Sequence, residues 1–158
     1  MNTRRLRGEG GQAIIELALT LPLLLLVVLG VFDFGLMFQR FEVVTNAARE
    51  GARLAVLKSE YSTSDARQRA LDYLAAGGVS GTIVGGSCTS DTTAGVLCVS
   101  VTPNTTTITG TSPAVSVDEM ICTVEYVHQF TFVGPIMQLF GGSLGNTPLR
   151  AVSRMRVE

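Results

Sequence analysis

Residues 17–32, LALTLPLLLLVVLGVF, are sixteen consecutive positions without a charge. This run constrains the chain more than any other feature. A helix of about 20 residues crosses the ~30 Å of bilayer hydrocarbon. It also satisfies its own backbone hydrogen bonds where water is absent. Adding residues 12–15 extends the run to one span, with Glu16 as the single charge inside it. Arg4, Arg5 and Arg7 precede it. Positive residues stay on the cytoplasmic side, so the N-terminus is expected inside and the rest exported. A removed signal peptide has the same basic-then-apolar layout. It needs small residues just beyond the run, where this chain reads Gly30-Val31-Phe32-Asp33-Phe34-Gly35-Leu36.

Composition agrees with a membrane-anchored chain. The length of 158 residues suits one domain. Charged residues make up 16%, against about 25% in an average soluble protein. Mean hydropathy is +0.37. A net charge of −1 leaves no basic footprint for nucleic acid. Residues 70–149 contain no Lys or Arg. The chain therefore divides into a basic leader at 1–11, a transmembrane and stem helix at 12–58, and an exported head at 59–158.

Glu16 has two readings. As a boundary carboxylate it snorkels to the interface. As a buried charge it awaits a partner in an assembly. The spacing around it bears on the choice. Gly11-Gln12-Ala13-Ile14-Ile15-Glu16 follows the basic leader and opens the apolar helix. This arrangement resembles the type IV prepilin processing site. The resemblance implies cleavage after Gly11 by a prepilin peptidase, with Gln12 as the first mature residue and Glu16 as the fifth. It also implies that the Glu16 carboxylate neutralises a new α-amino group, its own or a neighbour's. In low dielectric that attraction is far stronger than in water.

Further residues narrow the resemblance. They are Pro22 inside the span, Asp33 after it, the run Asn46-Ala47-Ala48-Arg49-Glu50-Gly51-Ala52-Arg53, and the ending Arg150-Ala151-Val152-Ser153-Arg154-Met155-Arg156. Residues 11–57 look like the N-terminal region of TadE-like proteins, from the bacterial tight-adherence (Tad, Flp-type) pilus systems. Leu17 stands where major pilins of such systems usually carry an aromatic. A minor pilin or pseudopilin is therefore implied, acting in pilus assembly and adhesion. The implied partners are inner-membrane lipid, a prepilin peptidase, other pilins or pseudopilins, and Tad assembly proteins. TadF-like proteins share this layout. The alternative is an unprocessed single-pass protein whose head binds an envelope partner.

Pro22 removes a backbone donor and tends to kink a helix. Phe34, Phe38 and Phe41 recur as one helical stripe, expected to fold onto the chain's own head. Ala47, Gly51 and Ala55, with Ala48 and Ala52 beside them, allow close helix packing. They serve either the chain's own sheet or a sister subunit. Asp33, Glu42 and Glu50 alternate with Arg40, Arg49 and Arg53, which reads as a solvated face. The helix is expected to run to about Lys58. A second helix is expected over 65–76, capped from Ser62, Thr63 or Ser64 and stopped by Gly77-Gly78. Ala66, Ala70, Leu71, Tyr73 and Leu74 form one face of it, with Arg67, Gln68 and Asp72 opposite.

Beyond Gly78 the period changes to two. Leu97, Val99 and Val101 alternate with Cys98, Ser100 and Thr102. Met120, Cys122, Val124, Tyr126, His128, Phe130 and Phe132 share a face over 120–132. Leu149, Ala151, Met155 and Val157 alternate with arginines. Turns are expected at Pro103-Asn104, Gly110-Thr111-Ser112-Pro113 and Gly141-Gly142. Residues 87–116 hold fourteen Ser or Thr. The expected fold is α+β: a long N-terminal transmembrane helix continuing into a stem, a second short helix, and a small antiparallel sheet packed on the stem.

The three cysteines lie in the exported part, where disulfides are favoured. Cys88–Cys98 closes a short loop and leaves Cys122 as a buried thiol; Cys98–Cys122 is the competitor. A metal site is not expected, because no close Cys pair occurs and His128 is the sole histidine. Gly141-Gly142-Ser143-Leu144-Gly145 matches the G-x-S-x-G pattern, but His128 precedes the serine and the large parallel sheet is missing. Glu125 and Asp118 are expected to be solvated. Neither a cofactor, a small-molecule substrate nor a catalytic residue is expected.

Overall fold

The computed structural model describes residues 9–57, 62–86, 88, 93–108, 115–139, 141–142 and 145–157. The leader arginines, Lys58, the turn at 110–113 and Ser143-Leu144 lie outside the described residues.

One helix, α1 (Glu9–Val56), contains both the apolar run and the stem. At 1.5 Å per residue its 48 residues extend about 72 Å. Pro22 lies inside it and leaves the Ala18 carbonyl without its usual helical donor. Helix α2 (Thr63–Ala76) starts at Ser62, whose side chain accepts from the Asp65 N–H while the Asp65 carboxylate accepts from the Ser62 N–H. This reciprocal cap satisfies two donors that a helix start otherwise leaves open. Gly77 ends α2, and Gly78 turns the chain at φ +74°.

The head is a four-stranded sheet in the order β1 (Thr82–Val84), β2 (Val96–Ile108), β3 (Val115–His128), β4 (Thr147–Arg156). The α+β architecture expected from the sequence is the one observed. The sheet is mixed, however: β2, β3 and β4 are antiparallel, but β1 runs parallel to β2, pairing Thr82 with Val96. A short helix, α3 (Val133–Leu139), intervenes between β3 and β4. Strand β3 stops at His128, so the alternation expected to reach Phe132 ends early. Phe130 is still buried, while Phe132 is exposed.

One side of the sheet faces the upper half of α1, and α2 closes the layer. Val44, Ala47, Ala48 and Ala52 of α1, Ala70 and Leu74 of α2, and Leu97, Val99, Cys122, Val124, Tyr126 and Leu149 of the sheet form the core. A smaller cluster joins Ala55, Ala66 and Met120. Arg67 is turned toward the sheet instead of away from it. Its Nε donates to the Val99 carbonyl at 3.0 Å. β1 stops pairing at Cys98, so this carbonyl lies beyond its reach. A buried acceptor needs such a donor.

Candidate functional site

The lower stem is the part of the chain with no fold of its own to serve. Ile14, Ile15, Leu17, Leu19, Leu23 and Leu24 are each exposed by 60% or more. The helix here is long and apolar enough to cross a membrane. The Gly11–Gln12 bond lies in the first turn of α1, and nothing approaches within 4 Å of where a Gly11 Cβ would stand. Glu16 is exposed one turn later. It makes no ion pair among the described residues.

The upper stem is built differently. Ala47, Ala48, Gly51, Ala52 and Ala55 are all buried inside the chain's own head. A Cβ on Gly51 would stand 2.7 Å from Cys122 Sγ, 3.2 Å from Ala70 Cβ and 3.3 Å from the Ala66 carbonyl oxygen. Gly51 therefore sits where α1, α2 and β3 meet. A Cβ on Gly77 would run into Val43. The small side chains bring α2 and the sheet onto the stem.

Followed back along α1, the head-facing stripe continues through Val44, Arg40 and Met37 to Asp33, in steps of three or four. It does not run through the phenylalanines. Phe38 is 61% exposed and Phe41 43%. Phe34 meets the head only edge-on, its ring centroid 5.7 Å from that of Phe130. The expectation that these three rings fold onto the head is thus corrected. Met37, Arg40 and Val44 hold that angular position.

Asp33 and Arg40 likewise leave the solvated face assigned to them. Asp33 is 1% exposed. Its carboxylate accepts from the backbone N–H of Thr131 at 3.2 Å, Phe132 at 2.9 Å and Val133 at 2.7 Å. A carboxylate holding three donors is compensated for its burial. Arg40 donates to His128 Nδ1 at 2.9 Å and to the Tyr126 hydroxyl at 3.3 Å. Its guanidinium lies 5.7 Å from the Tyr126 ring centre. The Arg40 bond requires Nδ1 as an acceptor, so His128 is neutral with its proton on Nε2. Burial pushes the imidazole below its usual value; Arg40 adds to this and Asp33 opposes it. His128 Nε2 is buried without a hydrogen-bond partner among the described residues. These contacts lock the head to the stem at the level where the apolar run ends.

On the outer face, Cys88 and Cys98 are joined by a disulfide with Cα atoms 5.5 Å apart. Cys122 is a buried free thiol, pushed up to about 11 by desolvation. Glu125 pairs in register with Cys98 and shares its face. It is 4% exposed, with Arg150 Nε at 4.0 Å, and so is not the solvated carboxylate expected. Asp118 is exposed and accepts from Thr105. Among the described residues no three His, Cys, Asp or Glu converge as metal ligands would.

The stem is also where the chain meets known proteins. The family model described as TadE-like protein matches residues 11–53. No curated protein and no solved structure matches the chain. The match begins at the Gly11–Gln12 bond, takes in Glu16, Asp33 and Arg40, and ends in the small-residue stripe. Over residues 11–53, about a quarter of the chain, the stem of this protein is thus similar to that of TadE-like proteins.

Proposed function

We propose that this protein is a minor pilin or pseudopilin-like subunit needed for assembly of a tight-adherence pilus. In this reading α1 anchors it in the bacterial inner membrane, with the N-terminus cytoplasmic and the head outside. A prepilin peptidase cuts after Gly11. The new Gln12 ammonium and the Glu16 carboxylate then lie one turn apart on one helix face. A carboxylate near a helix N-terminus is favoured by the helix dipole as well. In an assembly the ammonium of a neighbour is an equally good partner. The partners are other pilins or pseudopilins and Tad assembly proteins, and the outcome is adhesion and biofilm formation.

The observation that carries this reading is the exposed lower stem. Its sole interior charge, Glu16, has no ion-pair partner among the described residues, one turn from the Gly11–Gln12 bond. An unpaired carboxylate in a span is costly, and an assembly partner removes that cost.

The intact mass of the protein from native membranes tests processing. A mass matching 12–158 is expected. A full-length mass favours the unprocessed anchor with a binding head. Glu16→Ala is expected to insert normally and to reduce piliation, scored by filament counts. Normal piliation by that variant removes the charge-pairing role.

A further inference from the structure

The sequence stretch around α3 contains no Asp, Glu, Lys or Arg from Tyr126 to Leu149. Within it, the structure places α3 beside the membrane span. Val133 Cγ2 comes within 3.9 Å of where a Gly30 Cβ would stand. Ile136 then lines an apolar notch of about 450 Å³ with Pro22, Leu23, Leu25, Leu26 and Leu29. α3 therefore descends along α1 toward its N-terminus. Asp33 follows the end of the apolar run, so the levels of Leu29 and Leu26 lie roughly 5–10 Å below it at 1.5 Å per residue. One leaflet supplies about 15 Å of hydrocarbon.

We propose that α3 is a second membrane contact: it dips into the outer leaflet beside the span, and lipid acyl chains fill the notch. The inference rests on the membrane-anchor reading of α1. Two observations favour acyl chains over water or protein. First, the notch is continuous with the exposed apolar surface of the span. Phe132, at 41%, and Met137, at 36%, extend that surface onto the head. Second, five backbone N–H groups flanking α3 have acceptors within the protein. Asp33 takes the N–H groups of Thr131, Phe132 and Val133. The Gly141 and Gly142 N–H groups donate to the Gln138 and Met137 carbonyls at 3.1 and 2.9 Å. These groups therefore stay satisfied where water is absent.

The chain contains no Trp, so one introduced residue is the sole indole emitter. Met137→Trp, Phe132→Trp and Leu23→Trp are each made in the full chain and reconstituted in phosphatidylcholine vesicles. Each is then compared in vesicles of the same lipid brominated on the acyl chains. Trp at 137 is expected to lose at least about half of its emission to acyl bromines, consistent with a depth inside one leaflet. Trp at 132 reports the same surface from its shallow end should the 137 variant fold poorly. Trp at 23 reports the span itself. Quenching at 23 without quenching at 137 and 132 overturns the proposal; a second protein copy seated in the notch gives that result. Absence of quenching at all three positions overturns the anchor reading, and the proposal with it.

Discussion

The two halves of α1 belong to one helix and obey opposite rules. Below Phe32 most side chains are large, apolar and exposed; from Ala47 onward the inward ones are small and buried. Leu19 is 74% exposed, whereas Ala47 and Ala52 are 0% exposed. Apart from the α3 contact near Leu29 and Gly30, the lower half is not packed by this chain's own fold and is suited to an apolar surrounding. The upper half is where folding is stabilised, because Ala and Gly let two layers approach a common axis. The lesson is that hydrophobicity and burial separate here. What decides burial is side-chain size matched to an available partner.

The joint between the halves offers the most direct way to break this comparison. Asp33→Ala leaves three backbone donors without their acceptor at a buried carboxylate. The expected loss is about 3–4 kcal/mol, from the cost of unpaired buried donors and of lost charge-assisted bonds. Thermal unfolding of the purified protein in detergent measures it. Limited proteolysis should show 129–142 opening first. An unchanged midpoint means the carboxylate is not holding α3.

A paired substitution sharpens the contrast next. Gly51→Leu forces atoms into Cys122, Ala70 and Ala66, and overpacking of this kind costs about 1–3 kcal/mol. Gly35→Leu lies on the same helix, where nothing stands within 4 Å of a Cβ. It should instead stabilise by up to about 1 kcal/mol, because glycine is a poor helix former. Chemical denaturation of both variants in one detergent gives the comparison. Equal effects would mean that the head-facing and outward faces of the stem do not differ in packing.

The smallest effect is a pH dependence at the joint. His128 is held neutral, with its folded value lowered from 6.5. The unfolded chain then binds the proton more readily than the folded one. Stability from this group is complete above about pH 6.5 and is lost as pH falls through the interval below it. His128→Gln keeps an acceptor for Arg40 and should flatten that part of the stability–pH curve. A curve identical to that of the parent chain removes His128 from the account.

Much of this was legible in the sequence for identifiable reasons. The uncharged run, the Ser62-to-Asp65 cap and the Gly77-Gly78 stop are local signals, readable because a helix is a local structure. The period-two alternation in β2, β3 and β4 located the sheet. The stripe from Ala55 back to Ala47 was visible as well, and its spacing continued to Arg40 and Asp33. It was missed there because Asp and Arg read as solvated, while the adjacent phenylalanines read as core.

The membrane-length helix, the small-residue stem, the second helix and the strand faces are written in the residues, since each follows from side-chain periodicity along one segment. That Asp33 meets the amides of 131–133, that Arg40 meets His128, that Glu125 is buried and that β1 pairs parallel to β2 came from the packed fold alone. Those pairings join residues far apart in the chain. Their free energy comes from satisfying polar groups buried by packing, and no local pattern in the sequence records that.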